Sequence, residues 1–166
     1  DQEKSVRSYL KVVDMCEAMG MRTRLSWHYL NVGNGYMALS DYGNAECYFR
    51  KAIDVADDIS QQARASAYAN LGYCYLEKKQ YEEALELFDL AERLYKEKSE
   101  LDYYNFSNIE SWRGRLYAEL EDPARALQHY EQAFEYARDI EDYKQLSNVS
   151  KDLAGLYAER DDYKNA

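Results

Sequence analysis

The sequence predicts an all-α protein built from repeated helix pairs, and three observations carry that prediction. Chain breakers are scarce, with one proline and seven glycines in 166 residues, while good helix formers abound. A block of small and apolar residues returns every 39 to 42 positions. Each block holds two stretches in which apolar residues recur at i, i+3 or i+4, and i+7, the spacing of one helix face.

The elements follow in order. Tyr9, Lys11, Val12, Val13 and Asp14 match Phe49, Lys51, Ala52, Ile53 and Asp54 at an offset of 40, so residues 1–22 read as the second helix of a partial copy. The first full copy, 23–60, carries Tyr29-Leu30-Asn31-Val32-Gly33-Asn34-Gly35-Tyr36, then Tyr42-Gly43-Asn44-Ala45, Phe49 and Ala52. The second, 61–100, carries Tyr68-Ala69-Asn70-Leu71-Gly72-Tyr73-Cys74-Tyr75, then Tyr81-Glu82-Glu83-Ala84, Phe88 and Ala91 at the same intervals. The third, 101–142, retains Trp112, Gly114, Tyr117, Pro123, Ala126, Tyr130 and Ala133. A partial fourth, 143–166, retains Leu153, Ala154, Tyr157 and Tyr163 and runs to Ala166. Ala45, Ala84, Ala126 and Ala166 open the second helices at steps of 39, 42 and 40. Asp122 before Pro123 reads as an N-cap followed by proline at the first helical position, with Asp41 and Asp162 at the equivalent place.

The small residues have a packing reason. A mid-helix glycine costs about 1 kcal/mol against alanine. Gly33, Gly72 and Gly114, with Ala154 in the fourth copy, recur at one phase, so close helix approach must offset that cost. The aromatics Phe49, Phe88 and Tyr130 are expected to fill the space between successive pairs. One pair cannot bury its apolar faces alone, so neighbouring pairs stack.

These residues resemble the tetratricopeptide repeat family. The resemblance spans residues 3 to 143 and the cut final copy, and the Leu-Gly…Tyr…Ala…Phe…Ala pattern keeps its spacing. It implies a right-handed α-solenoid whose first helices line a concave groove. The period exceeds the usual repeat of about 34 residues. Long copies of this kind are similar to those of bacterial peptide-sensing and signalling regulators and of eukaryotic adaptors for G-protein regulators. The chain is then expected to be one continuous solenoid, a fragment of a larger protein.

Other classes find no support. The formal charge of −10 repels phosphate backbones, which argues against direct nucleic-acid binding. No apolar run is long enough for a membrane span, and no leader peptide opens the chain. Cys16, Cys47 and Cys74 form no C-x-x-C pair and read as small buried hydrophobes in a reducing, cytoplasmic setting. His28 and His129 stand far apart, no metal-ligand spacing occurs, and no phosphate-loop or nucleophile motif is present. Gly33-Asn34-Gly35 falls inside a helix. No catalytic residue, metal or cofactor is expected.

Given the groove that the resemblance implies, helical spacing selects the side chains opposite the packing face. They are Trp27, Leu30, Asn31, Asn34 and Met37; Ser66, Asn70, Tyr73 and Glu77; Asn108, Trp112, Arg115 and Glu119; and Lys151, Asp152 and Glu159. Asparagine amides carry both donor and acceptor and pair with peptide backbone whatever its sequence. Asn31, Asn34, Asn70 and Asn108 are therefore read as a ladder. Trp27, Tyr73 and Trp112 supply contact area, and Arg115 and Lys151 positive charge for a ligand carboxylate. Against the carboxylate clamp of some family members, only Asn34 and Asn70 match. Leu30, Asn108 and Trp112 stand where cations belong. The expected function is a protein- or peptide-binding scaffold. The alternative is a self-association module, dimerising through its ends.

Overall fold

The computed structural model describes residues 2–57, 60–97 and 102–159. Eight helices account for nearly all of them: α1 (Gln2–Ala18), α2 (Arg22–Ala38), α3 (Tyr42–Val55), α4 (Gln61–Glu77), α5 (Tyr81–Lys96), α6 (Tyr103–Glu119), α7 (Pro123–Asp139) and α8 (Tyr143–Glu159). No strand occurs among the described residues. The expectations at Asp162, Tyr163 and Ala166, and at the side chain of Glu159, lie outside them.

The chain divides into two compact units, Asp1–Ser99 and Glu100–Ala166. In the first, each helix from α1 to α5 packs on the next, and α2 also packs on α4. In the second, α6 packs on α7, α7 on α8, and α6 on α8. The core of the first unit runs through Val13, Tyr29, Val32, Ala45, Phe49, Ala52, Ala63, Ala67, Leu71 and Cys74. That of the second gathers Ala126, Tyr130, Ala133, Val149 and Leu156.

The recurring glycines sit where the helices of a pair cross. A methyl group on Gly33 would stand 2.5 Å from the Phe49 ring, on Gly72 2.7 Å from the Phe88 ring, and on Gly114 2.6 Å from the Tyr130 ring. These distances correct the expectation that the aromatics fill space between successive pairs: each ring lies over the glycine of its own pair. Missing Cβ atoms create the slot, and the ring of the second helix fills it. Phe49, Phe88 and the alanines Ala45, Ala84 and Ala126 are fully buried as a result.

A second periodic device is a buried hydroxyl. Ser26 Oγ donates to the Ala52 carbonyl at 2.8 Å, and Ser107 Oγ to the Ala133 carbonyl at 2.8 Å. Both serines are fully buried, and the bond stitches first helix to second across the pair. Ala65 takes this place in the middle copy, where α4 is buried on nearly every side.

The links between helices share one geometry. Ser40, Lys79, Glu121 and Glu141 all have φ between 56° and 60°, and Gly20 has 65°. Each is followed by an N–H that reaches back five residues to a carbonyl: Asp41 to Tyr36, Gln80 to Tyr75, Asp122 to Tyr117, Asp142 to Ala137, Met21 to Cys16. This is the glycine-type helix stop, built four times without glycine. Asp41, Asp102, Asp122 and Asp142 then cap the next helix, their carboxylates accepting from the N–H groups of Asn44, Asn105, Arg125 and Gln145 at 3.0–3.2 Å. The Asn44 side-chain amide together with its N–H holds the Asp41 carboxyl below the ordinary carboxylate range, and the Arg125 N–H with its guanidinium does the same for Asp122.

A left-handed conformation costs a non-glycine residue about 1–2 kcal/mol. Exposed Glu121→Gly is therefore expected to raise stability by about 0.5–1 kcal/mol, after the extra entropy glycine gives the unfolded chain. Urea unfolding checks it; an unchanged or lower midpoint would show that no strain is stored in the turn.

Two cysteines meet the expectation of burial and one does not. Cys16 and Cys74 are buried, and burial pushes the Cys74 thiol up to about 12. Cys47 is exposed: it falls between the buried Ala45 and Phe49 on the α3 spiral, on the opposite side of that helix.

Candidate functional site

The first helices of neighbouring pairs touch, α2 with α4 and α6 with α8, whereas among the described residues α3 makes no such contact with α5. Within the first unit the stack therefore closes on the first-helix side and opens on the other. The candidate site lies on that inner side.

α2 contributes Trp27, 39% exposed, with Asn31 and Asn34 half-buried. α4 contributes Asn70 and Tyr73, also half-buried. Asn70 Nδ2 donates to Asn34 Oδ1 at 2.7 Å, joining α2 to α4. Asn34 Nδ2 and Asn70 Oδ1 take no part in that bond, so the linked amides keep both donor and acceptor capacity. The Tyr73 ring meets Tyr42 at the start of α3 edge-on, with centroids 6.4 Å apart. Two further residues read as inward-facing play other parts. Leu30 belongs to the core at 4% exposure, because the close α2–α4 contact covers it. Ser66 Oγ lies 2.8 Å from the hydroxyl of fully buried Tyr95, tying α4 to α5.

In the second unit, Asn108, Trp112 and Arg115 are half-buried on α6. Arg115 Nε donates to Glu119 Oε1 at 3.0 Å one turn on. Its charge is thus already met by a carboxylate, while burial raises the Asp152 carboxyl on α8 and Arg115 only partly offsets that. Lys151 is exposed on α8, but the residues at its place in the first two copies, Leu30 and Ala69, are buried. Lys151 therefore lies off the column of the asparagines. The structure brings Asn34 and Asn70 together, with Trp27, Asn31 and Tyr73 on the same two helices.

A polar cluster in the α6–α7 seam escaped the sequence reading. Glu110 and Arg113, 8% and 7% exposed, stand where the earlier copies have Tyr29 and Val32, or Tyr68 and Leu71. Arg113 Nη1 donates to Glu110 Oε1 at 2.5 Å, and His129 Nδ1 lies 2.6 Å from Glu110 Oε2. The imidazole nitrogen and the carboxyl oxygen thus share one hydrogen bond across the seam. Tyr117 stacks on the imidazole at 5.1 Å, and Arg125 lies over the other ring at 4.3 Å. The same seam in the first copy holds three tyrosines, Tyr48 lying 6.1 Å from Tyr29 and 5.6 Å from Tyr36. One structural place thus carries an aromatic cluster in one pair and an ion-pair cluster in another.

A third network joins α3 to α4. Glu46 takes Lys78 Nζ at 2.5 Å and Arg50 at 2.9 Å, and Tyr75 also donates to it. Burial works against its charge, yet these bonds hold its carboxyl below the ordinary range. Among the described residues no three His, Cys, Asp or Glu side chains are grouped to hold a metal, and no helix is long and apolar enough to cross a membrane.

Paired helices crossing at glycine, stacked through their first members, define a helical-repeat protein. The tetratricopeptide repeat profiles match residues 22–97 and 111–140, together well over half of the chain. The chain belongs to the tetratricopeptide repeat family. Similar solved structures agree on the fold. BtubC (BKLC) from P. vanneervenii matches with a TM-score of 0.77 at 19% identity, over 100% of this chain and 69% of that one. MamA matches at 0.65 and 16% identity, over 99% and 82%. The N-terminal domain of stress-induced protein-1 from C. elegans matches at 0.57 and 21% identity, over 79% and 96%. No curated protein sequence matches the chain.

Proposed function

We propose that this chain is a non-enzymatic scaffold that binds an extended peptide or partner segment along its first helices, as the cytoplasmic sensor or interaction region of a larger regulatory protein. Tetratricopeptide repeats generally mediate protein–protein interaction, and the copies bounded at 23–60, 61–100 and 101–142 would then form one solenoid. The observation that carries the reading is the Asn34–Asn70 amide pair. It lies on the inner side of the α2–α4 stack, with a donor and an acceptor remaining for a peptide bond. Trp27 and Tyr73 flank it with amphipathic surface of the kind that anchors interfaces. The paired state of Arg115 favours recognition of peptide backbone over capture of a terminal carboxylate.

The test is a peptide-display selection on the 166-residue chain, followed by titration of the winners against Asn34→Ala/Asn70→Ala. Two partly exposed amides off the core should leave stability within about 0.5 kcal/mol. Loss of their bonds to the peptide should weaken binding roughly tenfold to a hundredfold. Full affinity in the double variant, with helicity intact, would move the site off this face.

A further inference from the structure

The inference concerns the seam where α2 meets α4, inside the first unit. It rests on the peptide-binding reading and narrows that reading to one form of ligand. α3 packs on both helices through short links, so α2 and α4 run in the same direction. The 2.7 Å bond from Asn70 to Asn34 sets those two residues level with each other. Trp27 stands seven residues before Asn34, which is two helical turns, so both project from the same side of α2. Tyr73 is the counterpart of Asn34 at the repeat step of 39, so it takes the same side of α4. It stands three residues after Asn70, in the opposite direction from Trp27. The two aromatic side chains thus lie on either side of the amide pair. Trp27 is 39% exposed, and Tyr73 is braced edge-on by Tyr42.

The spacing limits what can reach both rings. At about 1.5 Å of rise per residue, seven residues one way and three the other separate them by about 15 Å along the axes. Packed helix axes lie about 8–10 Å apart, so the diagonal from Trp27 to Tyr73 is about 17 Å. An extended chain covers that distance in about five residues, at roughly 3.3 Å each. A helical ligand, at about 1.5 Å each, needs about eleven. The amides between the rings choose between the two forms. Along a helix the backbone N–H and C=O groups are bonded to one another, so an asparagine beside them finds nothing to pair with. An extended segment leaves those groups to be satisfied from outside, and linked amides with donor and acceptor capacity do so.

We infer that the ligand is an extended segment carrying two bulky apolar side chains about four to six residues apart, one seated on Trp27 and the other on Tyr73, with the backbone between them held by Asn34 and Asn70. Trp27 and Tyr73 are then the specificity-determining residues. The ligand's intervening side chains matter little, because the asparagines meet only its backbone.

Random peptides of about 16 residues, long enough for either spacing, panned by phage display on the 166-residue chain test it. The consensus is expected to hold two large apolar positions about four to six residues apart, with variable residues between them. Alanine at either position should weaken a winning peptide roughly tenfold or more. Trp27→Ala should weaken the intact peptide as much, yet cost nothing further to a peptide that already lacks the side chain seated there. Methylating the central peptide nitrogens should reduce affinity for the parent chain but not for Asn34→Ala/Asn70→Ala. Trp27 is exposed, so its variant keeps the fold and decides the matter even where Tyr73→Ala loses stability. Large positions about ten or more residues apart assign a helical ligand and overturn the inference. A consensus with one large position, or with two adjacent ones, overturns it as well. Such winners leave the peptide-binding reading standing where they still lose affinity for Asn34→Ala/Asn70→Ala. Winners indifferent to Trp27, Asn34, Asn70 and Tyr73, or no winner at all, sink both.

Discussion

Arg113→Ala is expected to cost about 3–5 kcal/mol, because it removes one partner of a buried ion pair and leaves the Glu110 carboxylate under-compensated inside the α6–α7 seam. Replacing the whole cluster should do the opposite. The second copy shows what fits the same place: Tyr68, Leu71 and Leu87 stand where Glu110, Arg113 and His129 stand in the third. The triple variant Glu110→Tyr/Arg113→Leu/His129→Leu is expected to be neutral or more stable by roughly 1–4 kcal/mol, since it removes the desolvation of three polar groups together. Urea unfolding of the single and triple variants checks both halves. A single variant as stable as the parent would mean that water reaches Glu110. A triple variant as unstable as the single would mean that the cluster, and not its burial, holds the seam.

Gly72→Leu is expected to destabilise the first unit by about 3 kcal/mol, the upper end of the usual overpacking cost. Its Cβ alone would meet the Phe88 ring at 2.7 Å and the Ala84 carbonyl oxygen at 3.2 Å. The ring is fully buried and the oxygen belongs to a helix backbone, so neither yields cheaply. Gly155→Leu is the control: nothing lies within 4 Å of a methyl group there, and its cost should stay near that of an ordinary surface change, about 0.5 kcal/mol. Thermal melts of the two variants should therefore separate widely. Equal melting temperatures would refute the role of Gly72 as a slot for the Phe88 ring.

What could be read in advance divides along physical lines. The helix pairs and their crossings were legible because they are written in repetition: Gly33, Gly72 and Gly114 share one phase, and so do the rings that meet them. The caps at Asp41 and Asp122 were legible from local chemistry. Those at Asp102 and Asp142 have the same chemistry but open α6 and α8, where no recurring alanine marks the start. The serine stitches carry a signal that went unused: Ser26, Ser107 and Ser147 each stand 19 residues before an opening alanine. The ion-pair cluster was not legible. Glu110 and Arg113 at i, i+3 look like any solvated pair, and only the covering α7 turns them inward. At the candidate site, residue type was readable but pairing was not. Asparagine chemistry pointed to Asn34 and Asn70, yet their bond crosses 36 residues, one turn out of step with the repeat. Arg115 read as available charge because Glu119, one turn on, was counted separately as another inward-facing residue.

The unlike seams have a consequence for how such a chain finds its fold. Copies that resemble one another invite a first helix to clasp the wrong second helix, the characteristic error of repeat proteins. Here the seams are not interchangeable. Were α6 to clasp α3, Glu110 would be sealed against Tyr48 and lose its imidazole partner. Were α2 to clasp α7, His129 would lie among tyrosines with no carboxylate to meet. Each exchange strands a polar group in a dry place, at a cost of about 1–3 kcal/mol or more if charged. The glycine slot is common to every pair and says only that two helices may join; the chemistry beside it acts as a proofreading key that says which two.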